Sequence, residues 1–357
     1  MKIFIDIGHP AHVHYFKNFA VSFINKGHDL FFTVRDKEAS LALMKDLKFK
    51  YAERGRGGGN IITKLLKLPI TDFAIYRHAR KFKPDLFMSF ASPYAAHVSR
   101  IMRKPHISFD DTEHAVWAHR LYRPFTDVVL SPSYYLTEKE ENQIFFESYM
   151  ELCYLHPEYY AANNTVLNGL NISPEEQFAV IRFVSWNANH DIGQKGFSVE
   201  DKIKLVEKIS ARCKVFISSE GELPEELEQY RLKINPSHFH DVLSHASLYV
   251  GEGSTTATEA AILGTPAIYV NSLKVGNCAE LEEKYGLVFQ LREIDEIIDQ
   301  SIEILSDPES PAMFEQRKEK LLQDKINPTK FMIWFVKNWP ESRQIMQKNP
   351  GYQERFR

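Results

Sequence analysis

Tyr249-Val250-Gly251-Glu252-Gly253-Ser254-Thr255-Thr256-Ala257-Thr258-Glu259-Ala260-Ala261-Ile262-Leu263-Gly264-Thr265-Pro266-Ala267-Ile268 is the most informative segment of the chain. An apolar run enters a small-residue turn. A helix rich in alanine follows, and Gly264-Thr265-Pro266 ends it before a second apolar run. Gly251 and Gly253 let a ligand approach the backbone closely. Ser254, Thr255 and Thr256 lie where the helix begins, so their hydroxyls sit beside N–H groups that have no intrahelical acceptor. Such a terminus suits a phosphate or diphosphate. Glu259 lies one turn further in, placed to reach a ribose hydroxyl. An ordinary capped helix with packing glycines would leave the same local trace.

The alternation extends in both directions. Strands are expected at Phe178–Val184, Val215–Ser218, Leu248–Val250, Ala267–Val270 and Leu287–Gln290, with helices at Val199–Ala211, Thr256–Leu263 and Glu293–Leu305. In the first half, Ile3–Ile7, Leu30–Val34, Asp85–Phe90, His106–Phe109 and Val128–Leu130 read as buried strands. Helices are expected at about His14–Asn25, Lys37–Leu47 and Tyr94–Met102. Short apolar runs separated by amphipathic helices predict parallel sheets covered on both faces. A turn-rich stretch from about Tyr154 to Gln177 (His156-Pro157, Asn163-Asn164, Asn168-Gly169, Ser173-Pro174) marks a boundary. The expected organisation is an N-terminal Rossmann-like domain over 1–165 and a second over 175–330. The segment 331–357, apolar and aromatic at Phe331–Lys337, is expected to pack back across them as a helix.

Composition narrows the function. The 357 residues suffice for two cores. A net charge of −3 argues against nucleic acid as a partner. The 3 cysteines are widely spaced, which suits a reducing compartment and offers no zinc pair. The chain opens on a strand-like run, and no apolar stretch approaches the ~20 residues that cross a bilayer. The expected location is cytoplasmic, with peripheral contact at the inner membrane face. That contact would come from Arg54–Lys83, where eight basic residues face one acidic, Asp72, with Ile61, Ile62, Leu65, Leu66 and Leu68 alongside. A solvated helix face is the plainer explanation of that composition.

The 249–268 stretch resembles the nucleotide-sugar site of the GT-B superfamily, which includes MurG-type N-acetylglucosaminyltransferases and non-hydrolysing UDP-N-acetylglucosamine 2-epimerases. The resemblance implies diphosphate at Gly253, Ser254, Thr255 and Thr256, and ribose at Glu259. A wider resemblance is to the family of unknown function DUF354. It is carried by Asp6-Ile7-Gly8-His9-Pro10-Ala11-His12-Val13-His14, Phe109-Asp110-Asp111-Thr112-Glu113-His114, Tyr154-Leu155-His156-Pro157 and Arg182-Phe183-Val184-Ser185-Trp186-Asn187-Ala188-Asn189-His190-Asp191. Together these imply an α/β, GT-B architecture: two Rossmann-like, doubly wound domains facing a central cleft. GT-B enzymes need no metal, so no metal or other cofactor is expected. The donor substrate would be a nucleotide-sugar, UDP-linked.

Three further clusters supply chemistry. Gly8, His9, His12 and His14 follow the first strand, at the carboxyl edge where open α/β sheets bind ligands. His12-Val13 is in register with the MurG-type Gly-Gly-His-Val turn, and histidine suits proton transfer near neutral pH. Three histidines with Asp6 could also hold a metal, and surface histidines capping a helix would look the same. Asp110, Asp111 and Glu113 follow another strand of the same sheet. Adjacent carboxylates in an extended chain point apart, so only one of Asp110 and Asp111 should reach the ligand; Asp111 and Glu113 are the candidate bases. A solvated acidic helix start is the bland alternative. Arg182 and His190 would meet the leaving nucleoside diphosphate, with Trp186 available to stack. His238 and His240 carry a weaker signal.

The reading these residues favour is a metal-independent, nucleotide-sugar-dependent glycosyltransferase in cell-surface polysaccharide or glycolipid synthesis, with a glycan or lipid-linked acceptor. Two alternatives stand beside it. One is a nucleotide-sugar 2-epimerase, disfavoured because Ala91-Ser92-Pro93-Tyr94 lacks the acidic residue epimerases carry there. The other is a non-catalytic nucleotide-sugar-binding protein.

Overall fold

A computed structural model describes residues 1–36, 40–55, 61–137, 139–173, 175–184, 196–271 and 274–357, with backbone alone for 61–65. The chain divides into two compact units, Met1–His156 with Lys325–Arg357, and Pro157–Asp324. It leaves the first unit inside the turn-rich stretch and returns at Lys325.

The first unit runs β1 (Lys2–Ile7), α1 (Pro10–Asn25), β2 (Asp29–Val34), α2 (Ser40–Asp46), β3 (Tyr51–Glu53), α3 (Ile61–Phe82), β4 (Leu86–Phe90), α4 (Pro93–Ile101), β5 (His106–Phe109), α5 (Val116–Tyr122), β6 (Val128–Pro132), β7 (Gln143–Phe146) and α6 (Leu152–Leu155). The strands form one parallel sheet in the order β3-β2-β1-β4-β5-β6-β7. Every residue of β4, β5 and β6 is buried. Burial on both faces makes these strands largely apolar, and polar side chains inside them pair with one another, as Ser89 Oγ does with His106 Nε2 at 3.0 Å. Phe4 and Phe87 pack with Ile75, Ala79 and Val98 of the covering helices.

The second unit runs α7 (Val166–Gly169), β8 (Phe178–Phe183), α8 (Val199–Ser210), β9 (Lys214–Ser219), α9 (Phe239–His245), β10 (Leu248–Gly251), α10 (Ser254–Leu263), β11 (Ala267–Val270), α11 (Gly276–Glu280), β12 (Val288–Leu291), α12 (Ile294–Ser306) and α13 (Ser310–Asp324). Its parallel sheet has the order β12-β11-β10-β8-β9. Ile181, Val250 and Ile268 meet Leu205, Val206 and Ile297 in its core. The chain closes with α14 (Pro328–Lys337) and α15 (Glu341–Lys348). Phe331 of α14 stacks on Phe146 at 5.7 Å, and Ser148 Oγ donates to the Ile326 carbonyl at 2.7 Å, so this segment is part of the first unit.

The order of strands reverses direction once in each sheet, between β1 and β4 and between β8 and β10. At such a point the connections leave to opposite sides and open a crevice at the carboxyl ends, the usual ligand position in this architecture. The structure adds β3, β7, α5, α6, α7, α9, α11 and α13 to the elements expected from sequence. The helix after β1 begins at Pro10 and not at His14, since His9 caps it and proline at the first position presets the helical φ. The helix after β10 likewise begins two residues early, at Ser254.

Candidate functional site

In the second unit, α10 starts at the carboxyl end of β10, beside β8, at the switch point of that sheet. Gly253 occupies the N-cap and makes no side-chain cap bond. The helix has no acidic residue in its first turn. Its end therefore presents backbone N–H groups and the positive end of the helix dipole without a built-in anion. Thr256 through Ile262 are buried, and the small side chains Ala257, Ala260 and Ala261 let the helix lie close to the sheet. Gly264 ends the helix at φ 90°, where a Cβ would press on Glu315 and Lys318 of α13. At Gly251 the constraint is steric: a Cβ would fall 2.2 Å from the hydroxyl of Tyr249 and 3.1 Å from the Arg182 carbonyl. Tyr249 and Gly251 share one face of β10, and the buried ring lies along the strand over the glycine.

Glu259 is buried on α10, and its Oε1 lies 2.9 Å from His240 Nε2 of α9. The histidine fixes the orientation of the carboxylate. His240 gave only a weak signal in the sequence, because the two residues are neighbours only after α9 and α10 pack together. Glu252 had no assigned role there. It is buried, and its two carboxylate oxygens accept from Val184 N and Phe197 N, both at 2.9 Å. One side chain thus ties the end of β8 to the approach to α8. The signal was a glutamate directly after a buried strand, which must find donors.

Arg182 lies within β8, and its guanidinium donates to Ser218 Oγ at 2.7 Å and to Glu220 at 2.9 Å. Ser218 lies in β9 and Glu220 just after it, on the side of β8 away from β10. His190, with Trp186, Asn187 and Asn189, lies outside the described residues.

In the first unit, the carboxyl ends of β1, β4, β5 and β6 line one edge of the sheet and carry the remaining candidates. His9 caps α1, accepting from Ala11 N at 3.3 Å. Gly8 N–H points at His12 Nδ1 at 3.4 Å, which puts the ring proton of a neutral His12 on Nε2. His12 packs against Phe90, with ring centroids 4.6 Å apart, and so spans the ends of β1 and β4 at the switch point. His14 packs against Tyr154 at 5.2 Å. Beneath this turn, Asp6 is fully buried; it takes Arg54 Nε at 2.9 Å, Thr33 Oγ1 at 2.7 Å and Ser92 Oγ at 2.5 Å. A charged residue inside an apolar strand demands such partners. Arg54, read from sequence as the start of a basic surface run, is one of them.

The paired aspartates separate. Asp110 is fully buried and collects Tyr122 OH at 2.5 Å, His119 Nε2 at 3.0 Å, Arg123 at 3.4 Å and the Thr112 N–H at 3.0 Å. Burial opposes its ionisation, but the His119 contact, the Tyr122 hydroxyl and the Thr112 N–H hold it below the ordinary carboxylate range. Asp111 is half-buried and takes the Thr112 hydroxyl at 3.0 Å. Burial and the negative charge of Asp110 push it up to about 7. Two neighbouring carboxylates thus hold opposite protonation preferences, the pattern by which acid–base sites divide roles. Glu113 accepts from Leu136 N at 3.4 Å and lies 3.8 Å from His114. Buried Tyr134, stacked on Tyr149 at 5.1 Å, lies within electrostatic reach of Asp111, Glu151 and Tyr15. Among the described residues no group of three or more His, Cys, Asp or Glu is placed to hold a metal ion.

Comparison with known proteins bears on family and fold. A family model described as a protein of unknown function (DUF354) matches residues 1–338. An uncharacterized protein of Methanocaldococcus jannaschii is 25% identical over 283 residues, 75% of this chain and 81% of that protein. A UDP-N-acetylglucosamine 2-epimerase superposes with a TM-score of 0.63 at 10% identity, covering 90% of this chain and 94% of the other. The glycosyltransferase VinC, in complex with dTDP, superposes with a TM-score of 0.62 at 15% identity, covering 94% and 99%. Likeness at this identity is a likeness of fold, and the fold is the α/β GT-B architecture of glycosyltransferases and epimerases.

Proposed function

The chain belongs to the DUF354 family, and on that premise we propose that it transfers a sugar from a nucleoside diphosphate sugar, with the donor held by the second unit. The observation that carries this reading is the start of α10: an anion-free helix N-terminus at a switch point, with a buried carboxylate farther along the same helix. The free N–H groups and hydroxyls of Ser254, Thr255 and Thr256 bind the diphosphate. Glu259, oriented by His240, accepts from the ribose. UDP is the first base to test, since the relatives' names carry UDP- and dTDP-linked ligands.

In the proposed reaction, Asp111 takes the proton of an acceptor hydroxyl as its oxygen bonds to the anomeric carbon. The bond from that carbon to the diphosphate oxygen breaks, and the nucleoside diphosphate leaves. Asp111 is preferred to His12 as base because the Gly8 N–H already occupies His12 Nδ1, leaving Nε2 to donate. Glu113 is the less favoured carboxylate, being tied to Leu136 N. No metal takes part; helix dipole and hydroxyls carry the leaving group, with Arg182 contributing where it can leave Glu220. A lipid-linked acceptor fits the exposed apolar stripe Leu66, Ile70 and Phe73 of α3, 63–72% exposed on a basic helix, which would bring the protein to an anionic membrane face. Among the described residues no helix is long and apolar enough to cross a membrane.

The test is calorimetric titration with UDP and UDP-sugars, followed by separation of the products. Glu259→Ala removes a charge-assisted bond worth about 1.5–3 kcal/mol, so the dissociation constant should rise about ten- to a hundredfold. Release of UDP that requires an acceptor supports transfer. An epimer of the sugar without acceptor would replace this reading with epimerisation, and binding with no turnover would leave a donor-binding protein. No binding of any nucleotide would overturn it.

A further inference from the structure

The amino edge of the first sheet, opposite the edge that carries His12 and Asp111, holds a cavity of about 720 Å³. It is lined by residues that precede β5 and β6 and by the end of α4: Arg100, Arg103, Lys104, Phe125, Asp127 and Trp339 stand out. None of the three cations has an ion-pair partner among the described residues. Basic residues after a helix often answer the dipole of its carboxyl end. One cation suffices for that, and Arg100 already lies in the last turn of α4. The one carboxylate in the lining, Asp127, is held by the backbone N–H of His106 at 2.8 Å. Phe125 is 40% exposed and Trp339 half-buried, so two aromatic faces border the cationic wall. The volume lies within the range of small-ligand sites.

We propose that this cavity binds a phosphate ester, with the phosphate on Arg100, Arg103 and Lys104 and the organic part against Trp339 and Phe125. Guanidinium groups match phosphate oxygens in a fork, and an aromatic face takes the CH surface of a sugar or glycerol. Two sources present this chemistry, a soluble sugar phosphate and a phospholipid headgroup. The second is kept in view by position. Phe125 packs edge-on against His97 at 4.7 Å, and His97 bonds Asp72 of α3 at 2.9 Å, so the cavity borders the helix that carries the exposed apolar stripe.

The experiment uses the full chain and the triple variant Arg100→Ala, Arg103→Ala, Lys104→Ala, whose side chains are exposed and leave the core intact. One arm titrates glucose 1-phosphate, inorganic phosphate and glucose by calorimetry. The other sediments the protein with phosphatidylcholine vesicles with and without phosphatidylglycerol. Binding of glucose 1-phosphate but not glucose, or of vesicles with phosphatidylglycerol but not of phosphatidylcholine alone, that the triple variant weakens about a hundredfold supports the site and names its source. Trp339→Ala should weaken the organic esters and spare inorganic phosphate. Absence of binding in both arms overturns the proposal. Vesicle binding that survives the triple variant, yet is lost on Leu66→Ser, Ile70→Ser, Phe73→Ser, overturns it too, because apolar insertion alone would then explain the contact. Neither arm involves Glu259 or Asp111, so this result is independent of the donor site.

Discussion

Asp111 shows how one position takes its chemistry from its surroundings. A carboxylate whose pKa is about 3.8 in the unfolded chain and about 7 in the native one binds its proton more tightly when folded. Native protein then carries more protons than unfolded protein between those values, so stability falls as pH rises from about 4 to about 7 and levels off above. Asp111→Asn should flatten that slope, as measured by denaturant unfolding across the interval. As a base Asp111 must be ionised, so turnover should rise through about 7, and Asp111→Asn should abolish that limb while leaving UDP affinity unchanged. At Gly251 the argument is one of space. Gly251→Ala would press a methyl into the Tyr249 ring, a strain of about 1–3 kcal/mol. Combined with Tyr249→Leu, which removes the ring, the costs should fall short of additive in a double-mutant cycle. Additive costs would place the strain at the Arg182 carbonyl and not at the tyrosine.

At the scale of elements, the end of β8 and the approach to α8 are joined through Glu252. Its carboxylate holds two backbone N–H groups, at Val184 and Phe197, that have left β8 and not yet entered α8. Glu252→Ala would strand both donors. Hydrogen exchange at those two amides should accelerate while the amides within β8 and α8 keep their protection. Equal acceleration along α8 would mean that the helix itself depends on the clasp. The element boundaries also explain a difference from the sequence reading. Caps set where α1 and α10 begin, and His9 and Gly253 are not strong cap signals, so periodicity alone started both helices late.

For the whole molecule, each sheet has its own switch point, and the proposal puts the nucleotide at that of the second unit. UDP alone should protect amides of β10 and α10 from exchange and leave β1, β4 and β5 unchanged, since the nucleotide is assigned wholly to Pro157–Asp324. Protection that appears first at β1 would reverse the assignment of donor and acceptor units.

Two parallel α/β sheets and the strand–glycine–helix junction of β10 and α10 could be read from the residues alone. Buried parallel strands must be largely apolar, and a strand–glycine–hydroxyl–helix junction keeps its meaning wherever the fold sets it. Short or polar elements such as β3, β7 and α13 escaped, because three or four edge residues or a solvated helix carry little periodicity. Partnership between distant side chains emerges only on folding. His240 reaches Glu259 across 19 residues, Arg54 reaches Asp6 across 48, and Arg182 turns to Glu220. Folding also sets Asp110 and Asp111 apart in acidity, a difference written in burial and neighbouring charge, which adjacent identical residues cannot show.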